Sequence, residues 1–216
     1  MNRTALRNLV RTWLNEPTAG LWSDAELNTF LDIGVNRVNS LISSLDEDYF
    51  TVSETFSTTI GAKSYALPTS ARNILRLEHY STSDPYDIVK IDPLPFPRME
   101  GGGEWPFTAN GKPLRYVIRG TQFDLYPIPD AVYTLRIYID KRQDAMVDDN
   151  STPTTPLEYH DMIAIYTVIL ALPKNHESAS EFMALWNNRE VDLITTISNR
   201  KQVEPQKVEG YLEGIY

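Results

Sequence analysis

The chain has 216 residues, 20 Lys+Arg against 29 Asp+Glu for a formal charge of −9, and no cysteine. Without cysteine there is no structural disulfide, thiolate zinc site, iron–sulfur cluster or cysteine nucleophile. The acidic balance argues against a general grip on the DNA backbone, which needs a basic stripe. With 42% hydrophobic and 23% charged residues the composition is that of an ordinary globular protein. A length of this order allows one domain with a sizeable insertion, large enough to fold without staples.

The N-terminal MNRTALRNLVRTWLNE lacks the unbroken apolar core and small-residue cleavage site of a secretory signal. The longest apolar stretch runs from Met162 to Leu172, interrupted only by Thr167. It falls short of the ~20 residues needed to cross a bilayer and reads as a buried core helix. The expectation is a soluble chain made in a cytoplasm.

Residues 1–48 read as helical. Leu6, Leu9, Val10, Trp13 and Leu14 fall at helical spacing on one face, and Pro17 and Gly20 then break the pattern. Ser23 and Glu26 form an S-x-x-E capping box, with Trp22 and Leu27 placed as a hydrophobic staple. The stripe continues through Phe30, Leu31, Gly34, Val38, Leu41, Ile42 and Leu45 to Asp46-Glu47-Asp48.

From Phe50 the period becomes two. Phe50, Val52, Glu54, Phe56, Thr58 and Ile60 alternate with small polar residues, predicting a half-buried strand. Gly61-Ala62-Lys63 turns the chain into Tyr65-Ala66-Leu67-Pro68, and Ile74 to Tyr80 is a further extended run. Eight of the fourteen prolines lie between Pro85 and Pro129, around the Gly101–Gly103 triplet. Proline cannot donate a ladder hydrogen bond, so edge strands and loops are expected there, not a central sheet. Tyr116-Val117-Ile118 and Phe123-Asp124-Leu125-Tyr126 flank a glycine turn as a hairpin. After Pro127-Ile128-Pro129-Asp130, Tyr133, Leu135, Ile137 and Ile139 alternate cleanly.

Asp144 to Thr154 reads as a polar linker, and the last third is helical. Thr155-Pro156-Leu157-Glu158 combines a capping box with proline at the first helical position. The Met162–Leu172 helix, apolar on nearly every face, should be central, with Pro173 stopping it. A further start near Asn175 or Ser178 opens a helix bearing Phe182, Trp186, Val191, Leu193, Ile194 and Ile197. Two separated helical halves would each expose an apolar face, so one bundle built from both ends with an inserted sheet is the economical arrangement. The fold class is therefore α+β: a helical bundle from residues 1–48 and 155–202, an antiparallel β-rich lobe over 49–154, and an extended tail, 203–216.

No P-loop, GxGxxG, HExxH, GxSxG or EF-hand pattern is present. His79, His160 and His176 show no metal-ligand spacing and read as surface or cap residues. His160-Asp161 are adjacent on a helix and point about 100° apart, so they do not pair as base and orienter. Trp22 and Trp105 can be cast as sugar platforms between two carboxylates, but Trp22 is better explained as a staple and Trp105 as a loop residue. Gly101-Gly102-Gly103 is followed by Glu104-Trp105-Pro106, not by the helix N-terminus that a phosphate cradle requires. No catalytic residue, metal or cofactor is assigned.

Four elements in order carry a resemblance. They are the helix pair with Trp22-Ser23-Asp24-Ala25-Glu26-Leu27; the Tyr65-Ala66-Leu67-Pro68 strand end followed by Ile74-Leu75-Arg76-Leu77-Glu78; the hairpin leading to Leu125-Tyr126-Pro127-Ile128-Pro129-Asp130-Ala131 and Tyr133-Thr134-Leu135; and Pro156-Leu157-Glu158-Tyr159-His160 opening a buried helix. Together, over nearly the whole chain, they resemble the head-to-tail adaptor (connector) proteins of tailed bacteriophages. The stretch from Pro85 to Pro113 has no match in that pattern.

The resemblance implies a structural, non-catalytic virion protein at the neck, assembled in the host cytoplasm. It would form a homo-oligomeric, dodecameric ring beneath the portal protein that extends the DNA channel and offers a docking surface to tail or nozzle proteins. Genomic DNA would pass through without tight binding, and no membrane is involved. The C-terminal segment would embrace the portal through Val208, Tyr211, Leu212, Ile215 and Tyr216, ordering on the partner with the tyrosines as anchors; otherwise it is a frayed terminus. Trp105 and Phe107 would contact tail components or neighbouring subunits, or else close the lobe's own core. Asp46, Glu47 and Asp48, with Asp148 and Asp149, suit a lumen that must not hold phosphates, though acidity also serves solubility. The alternatives are another neck or tail-tube component, against which the flanking helices count, and a cell-wall glycan hydrolase used in entry.

Overall fold

The computed structural model describes residues 1–81, 88–94 and 110–201, without the side chains of Arg200 and Lys201. The chain divides into two compact units, one running from Met1 to Asp46 and resuming at Met146, the other Glu47–Ala145.

In the helical unit, α1 (Arg3–Trp13) starts where the Asn2 side chain accepts the Ala5 N–H at 2.9 Å. Leu6 and Val10 are fully buried, and Asn15, in the left-handed region at φ 51°, turns the chain away. α2 (Asp24–Leu45) begins at Ser23, whose hydroxyl accepts the Glu26 N–H at 3.2 Å. The Glu26 carboxylate takes Lys174 Nζ at 2.6 and 2.9 Å. Trp22 is buried, and its indole N–H donates to the Ala171 carbonyl at 3.2 Å. Leu27, Leu31, Val38 and Ile42 form the buried stripe of α2.

A 3-10 turn, Leu157–Tyr159, leads into α3 (His160–Ala171), which packs against α1 and α2. The expected capping box at Thr155 does not form: no side chain caps this start, and the buried Thr155 hydroxyl donates to Asn39 Oδ1 at 2.6 Å. A buried hydroxyl needs a partner more than an exposed helix end needs a cap. α4 (Ser180–Lys201) also packs on α3. It buries Trp186, Leu193 and Ile197, while Val191 and Ile194 remain 62% and 38% exposed. A helix covered on one side only buries a narrow strip.

The polar stretch read as a linker is ordered. Met146 is buried, Arg3 N donates to Ser151 O at 2.9 Å, and Thr4 N donates to Asp149 O at 3.1 Å. These carbonyls satisfy first-turn N–H groups of α1 that have no intrahelical acceptor.

The second unit is a seven-stranded sheet: β1 (Thr51–Ser57), β2 (Ser64–Ala66), β3 (Ala71–His79), β4 (Lys90–Pro93), β5 (Arg115–Arg119), β6 (Gln122–Tyr126) and β7 (Thr134–Lys141), in the order β1-β7-β3-β4-β5-β6-β2. The sheet is mixed, not antiparallel as expected, because β4 and β5 pair in parallel. Gly120, at φ 60°, makes the two-residue turn of the β5–β6 hairpin. Ile74, Leu77, Ile91, Phe123, Leu125, Leu135, Ile137 and Ile139 build the core, with Tyr116 among them.

Two expectations are corrected. β4, from the proline-rich stretch, lies at the centre of the strand order. Asp92 N donates to Leu114 O and Leu94 N to Tyr116 O, at 3.2 and 2.8 Å, so the bonds to β5 straddle Pro93 and its missing N–H costs that ladder nothing. β1 is not half-buried: it is an end strand, exposed except at Phe56.

Two of the three histidines also differ from the surface reading, while His176 is exposed at a helix cap as expected. His79 is buried with Nε2 2.6 Å from Pro113 O, and His160 is buried with Nε2 2.9 Å from Thr155 O. His176 ends the 3-10 turn Leu172–Asn175 in the left-handed conformation.

Candidate functional site

The sheet curls until its two end strands approach one another. Phe56 on β1 lies 5.7 Å, centroid to centroid, from Tyr65 on β2 and 5.8 Å from Phe123 on β6. Phe56 meets Phe123 edge-on, while Tyr65 stacks on Phe123 at 5.8 Å. Each such pair is worth about 0.5–1.5 kcal/mol beyond the area it buries. The Tyr65 hydroxyl accepts the Thr59 N–H at 3.0 Å and donates to the Ala62 carbonyl at 3.1 Å, fixing the ring at the connection between the two strands.

Around this aromatic trio lies a cavity of about 430 Å³. Leu67, Pro68 and Ile137 add apolar walls, and Glu54 places a carboxylate in the lining. Glu54 faces Ile137 across the β1–β7 ladder, so its side chain stands on the face that carries the core. It is exposed, and no described cation pairs with it. An apolar hollow with one carboxylate and the threonines Thr55 and Thr69 in its lining is suited to binding an apolar group beside a polar one.

The second feature is a ladder of arginines on α1. Arg3, Arg7 and Arg11 recur every four residues and therefore line one face. Asp149 receives Arg3 at 3.0 Å and Arg7 at 3.1 Å; Arg11 reaches Asp24 at 2.6 Å and the Trp22 carbonyl at 3.0 Å. Hydrogen bonds from Arg7 and then Arg3 hold the Asp149 carboxyl below the usual carboxylate range, and the Asp149 bond raises the Arg7 guanidinium in turn. This network joins the start of α1, α2 and the 146–151 segment. The four-residue arginine spacing was visible in the sequence and its acidic partners were not.

Among the residues singled out from sequence, Val208, Tyr211, Leu212, Ile215 and Tyr216 lie outside the described residues, as do Trp105 and Phe107 and the Gly101–Gly103 triplet. Asp46 caps the C-terminus of α2 with its N–H donating to Ile42 O at 2.8 Å; Glu47 and Asp48 follow, exposed, before β1. Asp149, grouped with them as an acidic lumen residue, is committed to two arginines. Sequence reasoning missed the cavity, because its lining comes from residues 54–56, 65–69, 123 and 137, which no local pattern connects.

No group of three or more His, Asp or Glu among the described residues is placed to hold a metal ion. No described helix is long and apolar enough to cross a membrane. Comparison with curated proteins finds no match. A protein-family model described as "SU10 adaptor protein" matches residues 1–206.

Proposed function

This chain belongs to the SU10 adaptor protein family, a family of phage head-to-tail adaptors, and on that premise we propose that it is a structural, non-catalytic component of the virion neck. In this reading it is a bacteriophage adaptor that interacts with other structural proteins of the particle. Twelve copies form a ring that joins the portal protein to the tail or nozzle proteins and continues the DNA channel. Residues 1–48 and 155–202 act as the helical bundle of each subunit and residues 49–154 as a lobe. The observation that carries the proposal is the family match along residues 1–206, which includes both the helices and the sheet.

The tail supports a division of labour. Residues 203–216 carry Val208, Tyr211, Leu212, Ile215 and Tyr216 among Glu and Lys, at the i, i+3, i+4, i+7, i+8 spacing of a single apolar stripe that a partner surface can cover. We assign them to the portal. Many copies in one ring multiply a modest contact through effective concentration. Trp105 and Phe107 are assigned to tail components or neighbouring subunits, and Asp46, Glu47 and Asp48 to the channel wall.

The test is to mix the purified chain with portal rings and view the product by negative stain. Rings capping the portal are expected. Truncation after Gln202 should leave circular dichroism and melting unchanged and abolish co-sedimentation with portal. Undiminished co-sedimentation removes the tail assignment, and persistent monomers beside bare portals remove the adaptor role.

A further inference from the structure

The two end strands of the curled sheet leave a gap, and β1 presents an intact edge to it. Lys141 N donates to Phe50 O at 3.1 Å and Thr58 N to Tyr133 O at 2.8 Å. Bonded pairs alternate along an antiparallel ladder, so residues 50, 52, 54, 56 and 58 exchange their bonds with β7. The main-chain groups of Ser53, Thr55 and Ser57 therefore point the other way, along the free edge. All three residues are exposed. The edge contains no proline, lysine or bulge, the usual devices that prevent a further strand from pairing.

One protecting device is present, and it is selective. Val52, Glu54 and Phe56 lie opposite Ile139, Ile137 and Leu135, so they stand on the core-facing side of the sheet. Val52 nevertheless stays 37% exposed and Glu54 is exposed, because no described strand covers them. A carboxylate on the inward face of an edge strand repels an incoming strand that is neutral or acidic at that register and accepts one bearing a cation. A two-fold pairing of β1 with β1 of a second copy centred on Glu54 would bring two carboxylates together, and one centred on Thr55 would set each Glu54 against Phe56 with no cation opposite it, so self-association is disfavoured.

We propose that the β1 edge and the adjoining cavity form an acceptor site for an extended segment of another protein, one that carries a Lys or Arg opposite Glu54 and an apolar side chain two positions along to fill the cavity. The segment pairs with Ser53, Thr55 and Ser57 through its main chain. Its apolar side chain packs on Phe56, Tyr65 and Phe123, and its cation neutralises Glu54 as water leaves. The site rests on the adaptor reading only in expecting the segment to come from a neighbouring protein of the particle.

The experiment uses the full chain and a fluorescent probe peptide with alternating threonine and apolar residues and one central lysine on the apolar face. A second peptide replaces that lysine by glutamate. By fluorescence anisotropy the lysine peptide should bind, with the glutamate peptide weaker by about tenfold or more. Glu54→Lys should reverse that order. Thr55→Pro, which removes an edge N–H, should abolish both without changing circular dichroism, and amide exchange at Ser53 and Thr55 should slow when the lysine peptide is added to the unaltered chain. Failure of the lysine peptide to bind, or binding indifferent to Thr55→Pro, overturns the proposal. So does concentration-dependent dimerisation that Thr55→Pro abolishes, which would assign the edge to a second copy. None of these outcomes bears on portal capping, so this site and the adaptor role fail separately.

Discussion

His160 stands at the start of α3 with Nε2 facing the Thr155 carbonyl at 2.9 Å and Nδ1 facing the Met1 amine at 2.6 Å. The carbonyl requires a proton on Nε2, which leaves Nδ1 as the acceptor for the amine. Burial, assisted by the amine's charge, pushes its pKa below the ordinary 6.5, against the opposing pull of the Thr155 carbonyl. The unfolded chain then binds the proton more readily than the native one. Native stability from this group is complete above about pH 6.5 and declines as pH falls towards the lower native value. Asp149 behaves alike in a more acidic window: its contribution is complete above its ordinary 3.8 and is lost as pH falls through the depressed native value. Urea unfolding followed from about pH 7 downwards should therefore show an early loss of stability that His160→Gln flattens and a later one that it leaves in place. An unchanged profile in His160→Gln would refute this assignment.

At the scale of elements, Gly34 lets α2 approach α3 closely. A Cβ at this position would sit 3.0 Å from the Ile163 carbonyl oxygen and 3.3 Å from Thr167 Oγ1, so α2 lies directly against the backbone of α3. Alanine normally stabilises a helix interior over glycine by about 1 kcal/mol. Here the contact is with backbone, which cannot swing aside, and overpacking costs about 1–3 kcal/mol. Gly34→Ala should lower the unfolding free energy, and Gly34→Val should lower it further; a stabilised alanine variant would show that the helices separate freely. The sequence placed Gly34 on the apolar stripe of α2 but contained nothing to identify the backbone it meets. Similarly, Ser23 was legible as a cap because its partner, the Glu26 N–H, is three residues away. Thr155 was misread because its partner, Asn39, lies on another helix.

For the whole molecule, the −9 charge bears on how the protein meets nucleic acid. The row of arginines on α1, Arg3, Arg7 and Arg11, is occupied by Asp149 and Asp24. A subunit that borders a DNA channel without gripping its cargo should release few counterions on encountering a duplex. Anisotropy of a labelled duplex at about 150 mM salt should show no saturable binding. Saturable binding with a steep salt dependence would contradict this part of the adaptor reading.

The sequence by itself determined the helices, most strand positions, the glycine turns and the family resemblance, because each depends on side-chain spacing or on partners a few residues apart. The resemblance to head-to-tail adaptors is matched by the family model over residues 1–206. The tertiary structure alone decided that the sheet is mixed, that a strand from the proline-rich stretch lies at its centre, and that β1 is an open edge beside an aromatic cavity. Those outcomes depend on pairings across 20 to 90 residues, such as Asp92 with Arg115 and Thr51 with Asp140. Local periodicity specifies which face of a strand is apolar; it does not specify which strand will cover it.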